Sequence, residues 1–205
     1  NYDYGNENPH KKVSGLSSYI SHGLIKEMDV LNKLKKSKNK SDKFKQEILW
    51  RTYWKGWLEH HNVVWKRYNE NLVYYKKYIS QQEISSTYYL SINGQTGIKP
   101  YDYWVQQLIN TGYLHNHARM WFASIWIHYL GLPWELGANF FIENLLDGDV
   151  ASNTLSWRWV AGIQTIGKTY IAFKDNINKY TLNRFRGFDL PKIKEHTITA
   201  EKKVL

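Results

Sequence analysis

The 205-residue sequence contains no cysteine, only two methionines and only four prolines. The absence of thiols excludes disulfides, thiolate zinc sites, iron–sulfur clusters and a cysteine nucleophile together. No apolar run approaches the roughly 18 residues needed to cross a bilayer, because Arg119, His128 and Glu135 interrupt the richest region. No membrane contact is expected. The N-terminus, NYDYGNENPHKKVSG, lacks a signal-peptide pattern, so a cytoplasmic protein is expected. A G-x-S-x-G nucleophile turn, a dinucleotide-binding glycine fingerprint and a P-loop are all missing. His60 and His61 are adjacent and His115 and His117 lie two apart. Neither pair completes a ligand motif with a carboxylate, and no metal is expected.

What the chain does have is aromatic mass and positive charge. Aromatics make up 16% of it, with ten tryptophans, and the formal net charge is +10. With 42% apolar residues the chain is globular, one domain or at most two small ones. The charge points to an anionic partner, nucleic acid first, and a monomer is expected.

Hydrophobic spacing predicts an all-α fold, with no convincing strands and no repeat. Residues 1–15 read as a polar extended arm. Leu16, Tyr19, Ile20, Leu24, Met28 and Leu31 recur at helical steps and predict one helix to about Leu34. A basic linker, KKSKNKSDK, leads to an N-cap at Ser41 or Asp42 and a long helix. That helix weakens near His60, and a second run continues to about Ile79. Residues 80–99 read as loop, with NGQTG a strong breaker. Further helices are expected over 100–110, 115–130, 133–146, 153–164 and 175–180. The domain is bounded at about 185, with a basic tail over 186–205.

The polar residues inside the aromatic block 111–162 are the informative ones. It holds five tryptophans, yet Asn116, Arg119, Asp147, Asp149 and Asn153 interrupt it. Burying such groups is costly unless they are paired or meet a ligand. Glu47, Trp50 and Arg51 share one helix face by their spacing, as do Asn116, Arg119 and Met120. Asp149, Asn153 and Trp157 line another stripe, with Asp147 just ahead. VSGLSSY at 13–19 offers small hydroxyls opening a helix, where phosphate could meet backbone N–H groups.

Four blocks together resemble the C-terminal, flavin-binding helical domain of the DNA photolyase/cryptochrome family. VSGLSSY is similar to its T-S-x-L-S-P-Y, and EILWRTYW to E-x-x-W-R-E-[FY]-[YW]. TGIKPYDYWVQQLINTGYLHNHARM resembles T-G-x-P-x-x-D-x-x-M-R-Q-L-x-x-T-G-[WY]-x-H-N-R-x-R-M. LLDGDVASNTLSWRW resembles L-[IL]-D-[GY]-D-x-A-x-N-x-x-x-W-[QR]-W. Val13, Ser18, Thr52 and His117 replace the usual threonine, proline, glutamate and arginine, and Tyr113 stands where tryptophan is commoner.

The resemblance implies FAD, active in its reduced form. Ser14, Leu16 and Ser17 would meet its phosphate and ribitol region, and Phe44 and Arg51 its outer surface and phosphates. Tyr113 would lie in the cofactor-binding motif. Asn116 and Arg119 would flank the ring system, with Arg119 paired to Asp147, Asp149 near the flavin edge and Asn153 opposite N5. Glu47, Trp50, Asn116, Met120 and Trp159 would hold a flipped pyrimidine dimer in damaged DNA. Trp157 and Trp134 match the inner two members of a tryptophan electron relay. Its third member is open among Tyr88, Tyr89 and Trp65, while Trp121 and Trp126 read as packing. The family's N-terminal antenna domain is not in this sequence, and FAD is the only pigment expected.

Within the family, Asn116 and Met120 favour cyclobutane-dimer repair over (6-4) repair, which has histidines there. Asn153 favours a photolyase, since plant cryptochromes carry aspartate and animal ones cysteine at that position. The alternatives are a blue-light sensor without repair activity, and a helical nucleic-acid-binding protein with no cofactor.

Overall fold

A computed structural model describes residues 13–35, 42–79, 84–165 and 167–194. The expected arm over 1–12, most of the basic linker with Ser41, and the tail beyond 194 lie outside the described residues. Among the described residues ten α-helices follow one another: α1 (Ser17–Ser21), α2 (Glu27–Lys35), α3 (Asp42–His60), α4 (Asn62–Ile79), α5 (Ile84–Ile92), α6 (Lys99–Thr111), α7 (Asn116–Ser124), α8 (Trp134–Asn144), α9 (Val150–Val160) and α10 (Lys174–Tyr180). Among the described residues there is no strand, as the spacing predicts. No described helix is long and apolar enough to cross a membrane.

Several boundaries follow from local chemistry. Pro100 sits in the first turn of α6, where its missing N–H costs nothing. Asp102 fixes the preceding turn by accepting from the N–H groups of Thr96 and Gly97, both at 2.9 Å. Gly112 ends the helix at φ +64°, a left-handed conformation that favours glycine. The Asp149 carboxylate caps α9 by accepting from Ser152 N–H at 2.8 Å.

Several expectations change. The single helix over 16–34 is two, because Gly23 turns left-handed at φ +72° and separates α1 from α2. The loop expected over 80–99 contains α5. The helix expected over 115–130 gives way after Ser124 to a π-helical turn, Ile125–Tyr129, in which Leu130 N–H donates to Ile125 C=O at 2.9 Å. The last helix of the aromatic block also begins at Val150 and ends at Val160 instead of spanning 153–164. Beyond 185 the chain stays packed: Phe188 is in the core, and Lys194 N–H donates to His128 C=O at 2.8 Å.

The core sits where α6, α7, the π turn, α8 and α9 meet, filled by Trp104, Trp121, Trp126, Trp157, Tyr101 and Phe122. Trp121 and Trp126 are buried, in keeping with packing. α8 and α9 approach each other closely. A Cβ on Gly137 would lie 2.3 Å from Trp157 and 3.0 Å from Trp126. Gly137→Ala should therefore destabilise the fold by about 1–3 kcal/mol, the usual cost of overpacking. Chemical denaturation checks this, and an unchanged midpoint would contradict the packing.

Candidate functional site

A cavity of about 480 Å³ opens between α3, α7, the 145–149 loop and α9, within the usual range for a ligand pocket. Each wall has a distinct contribution. From α3 come Trp50, Arg51 and Trp54, and from α7 Asn116, Arg119 and Met120. The loop supplies Asp147 and Asp149, and α9 supplies Ser152, Asn153 and Trp157, with Trp159 near its end. Residues scattered over 110 positions of sequence thus meet in one place.

The charged groups are mutually held. Arg119 Nη2 donates to both carboxylate oxygens of Asp147, at 2.9 and 2.8 Å, and its Nε donates to Leu114 C=O at 2.7 Å. The pairing expected of Arg119 and Asp147 is present. Arg51 hydrogen-bonds the Ser21 hydroxyl and lies 3.8 Å from Asp149 and 3.9 Å from Glu27. Lys55 completes this network, 3.2 Å from Glu27 and 3.8 Å from Asp149. Burial opposes ionisation of Glu27, but a hydrogen bond to its own backbone and the charges of Lys55 and Arg51 hold it below its ordinary value.

Of the expected site residues, Trp50, Arg51, Asn116, Arg119, Met120, Asp147, Asp149, Asn153, Trp157 and Trp159 line the cavity. The others lie off its wall. Leu16 and Phe44 pack in a small satellite cluster around Ile20, Val30 and Ile48. Ser14 is exposed, with its hydroxyl accepting from Leu16 N–H at 3.4 Å, and Ser17 opens α1. Glu47 is exposed on α3, one turn before Trp50 and Arg51. Tyr113 backs the wall, its ring 5.1 Å below the Arg119 guanidinium. Trp134 is buried on the far side of α8, its ring 5.4 Å from Tyr68. Sequence reasoning missed Trp54 and Ser152. Trp54 lies four residues after Trp50 and so on the same face; nothing but its place beside Asn153 marks Ser152.

The wall also carries unmet polar capacity. Arg51 Nε, Ser152 Oγ and Trp157 Nε1 are buried and have no hydrogen-bond partner among the described residues, an unfavourable state that a polar ligand would relieve. Asn153 is held by one end, its Nδ2 donating to Ala138 C=O at 2.8 Å. Guanidinium groups for a diphosphate, an amide for a ring edge and indoles for a flat face together suit a large dinucleotide such as FAD.

Comparison with known proteins agrees with this chemistry. The FAD binding domain of DNA photolyase matches residues 44–182. The chain belongs to that family. It is 30% identical over 155 residues to the deoxyribodipyrimidine photo-lyase of Streptomyces griseus, covering 75% of this chain and 33% of that protein. It is 30% identical over 168 residues to the one from Agrobacterium fabrum, covering 78% and 34%. The chain therefore spans about a third of the length of these curated relatives. Among solved structures, a bacterial class III photolyase from Agrobacterium tumefaciens superposes with a TM-score of 0.69 at 26% identity, over 86% of this chain and 38% of that one. A Synechocystis cryptochrome gives 0.63 at 25%, over 83% and 38%.

One group near the cavity gives a pH prediction. His115 caps α7, its Nδ1 accepting from His117 N–H at 3.3 Å. Burial, helped by the charges of His117 and Arg119, lowers its pKa from 6.5 to about 4. The unfolded chain takes up this proton at higher pH than the folded one. Stability should therefore fall as pH drops from about 6.5 to about 4 and level off below, by about 1–2 kcal/mol from this half-buried group once solvent screening is allowed for. His115→Asn keeps a cap acceptor and should flatten that part of the slope. A residual slope from His117 and His128, both also lowered by burial, remains. Urea denaturation across pH measures it.

Proposed function

We propose that this protein binds FAD and, in light, repairs cyclobutane pyrimidine dimers in DNA. Two backed aromatic platforms on one cavity carry the reading. Trp50 from α3 is 45% exposed and stacks on Trp54 behind it at 5.3 Å. Trp159 from α9 stacks on Tyr170 at 5.6 Å. Rings presented in this way accept unstacked bases, worth about 1–3 kcal/mol per base. A lesion that already disturbs the duplex lowers the cost of flipping.

Arg51, with Ser14, Leu16 and Ser17, holds the diphosphate and ribitol part of FAD, and Phe44 covers its outer side. Tyr113 supports Arg119, which with Asn116, Asp147, Asp149 and Asn153 surrounds the ring system. When bound in reduced form, FAD supplies the light-released electron that opens the cyclobutane ring. Glu47 hydrogen-bonds the pyrimidine carbonyl and imide groups, while Met120 and Asn116 seat the dimer between the platforms. Trp157 and Trp134 pass electrons inward. The net charge of +10 gives backbone affinity that falls steeply with salt.

A second reading, a blue-light sensor without repair, draws support from the likeness to a cryptochrome. Illumination of a dimer-containing oligonucleotide with the reduced, flavin-loaded protein separates the two. Restored pyrimidines are expected, and no repair with fully reduced flavin would sink the photolyase reading. Glu47→Ala should lose most repair and keep its flavin absorbance; loss of the flavin instead would contradict the role given to Glu47.

A further inference from the structure

Among the described residues, only Leu182 and Asn183 carry a side chain on left-handed backbone, at φ +52° and +58°. Asparagine visits that region readily, but a bulky side chain is strained there. Leu182 is nevertheless 72% exposed, in the turn that follows α10. Its position is enforced from both sides. The Thr181 hydroxyl donates to Ile177 C=O at 2.8 Å, Asn183 N–H to Asn178 C=O at 2.8 Å and Arg184 N–H to Thr181 C=O at 3.0 Å. Thr181 and Phe185 are buried, with the Phe185 ring 5.4 Å from Tyr103 and 6.0 Å from Trp104. Folding alone would be served better by asparagine or glycine at 182, which relieves the strain and exposes no isobutyl group. Strain held in place by an over-determined surround points to a use for the side chain.

The surroundings say what that use is. Residues 179–186 hold Lys179, Arg184 and Arg186 and no carboxylate. All three cations are exposed, and the Arg184 guanidinium is steadied 4.2 Å above the Tyr103 ring. The turn sits beside the α7 wall of the cavity. The Tyr180 ring is 6.0 Å from that of His117, the neighbour of the cavity residue Asn116. Asn176 of α10 accepts from Trp121 Nε1 at 3.0 Å. Lys43 of α3 reaches the same place, its charge adding to burial in lowering the His117 pKa. An apolar tip flanked by cations is complementary to a polyanion with an apolar interior. Duplex DNA is such a partner, with phosphates outside and stacked base faces within.

We propose that Leu182 is a wedge that enters the base stack of duplex DNA next to the lesion, with Lys179, Arg184 and Arg186 on the flanking phosphates. The proposal rests on the reading of dimer-containing DNA as the substrate. An apolar side chain pushed between base steps unstacks them and kinks the duplex. The held backbone keeps Leu182 pointing outward before DNA arrives, so little ordering is left to do on binding. A single strand has no continuous stack to open, and the wedge adds nothing there. Leu182 thus separates duplex from single-stranded substrate, while the cations serve both.

The test uses the flavin-loaded protein in the dark, with a thymine-dimer duplex carrying 2-aminopurine at a step beside the dimer, a base that brightens when unstacked. The dimer strand alone is the control. Brightening on duplex binding is expected for the parent protein and for Leu182→Met, which keeps an apolar tip. Leu182→Asn suits the left-handed backbone but removes the tip. It should lose most of the brightening, bind the duplex roughly tenfold more weakly, bind the single strand as the parent does, and unfold in urea at an equal or higher midpoint. Arg186→Gln should keep the brightening and reduce the salt slope by about one. No brightening in the parent, brightening that persists in Leu182→Asn, or an equal loss of affinity for both DNA forms overturns the wedge and leaves the substrate reading standing. A lower urea midpoint in Leu182→Asn overturns it too, since the leucine would then be serving the fold. A parent protein that binds neither DNA form overturns both.

Discussion

The short loop from Leu145 to Asp149 is tied from several directions, and the cavity exists because it is. Leu146 N–H donates to Gly112 C=O at 2.8 Å, the Ser21 hydroxyl donates to Asp147 C=O at 2.8 Å, and His22 bonds Leu146 C=O at 3.0 Å. Arg119 grips the Asp147 carboxylate from α7. The ties to Asp147, which is buried, satisfy groups that burial would otherwise penalise. Gly112 makes the approach possible, since a Cβ there would lie 2.4 Å from Leu146. With the loop fixed, Asp149 starts α9 and sets Asn153 and Trp157 along one face.

This arrangement divides labour between apolar packing and polar anchoring. Aromatic rings fill the space behind α9 and set the depth of the cavity. The ion network of Arg51, Lys55, Glu27 and Asp149 fixes how α2 and α3 close over it. Ion pairs of this kind contribute little net stability when partly exposed, but unpaired members would be costly. Their value is in geometry: guanidinium and carboxylate groups stand at set positions where a ligand can meet them.

Much of this was legible in the chain. Pro100, Gly112, Gly131 and the DGD sequence mark true helix ends because each imposes a backbone geometry whatever surrounds it. The polar residues at helical spacing in the aromatic block do meet at one cavity. What the sequence hid is what tertiary contact decides. ISSTYYLSI is rich in β-branched and hydroxyl residues with low helix propensity; it is helical as α5, where Tyr88 packs on Trp126 and the Ser91 hydroxyl bonds Thr87 C=O at 2.7 Å. The π turn has no compositional mark. Leu24 and Met28 kept helical spacing yet are exposed, because Gly23 breaks the register between them and Ile20.

The tie between Ser21 and Asp147 spans 126 positions of sequence. Closing so long a loop costs chain entropy that short-range helix packing does not. The aromatic core of α6 to α9 involves nearby segments and can assemble first. Contact order therefore makes the cavity a late product of folding: its last wall is set only when the N-terminal helices return to a core already in place.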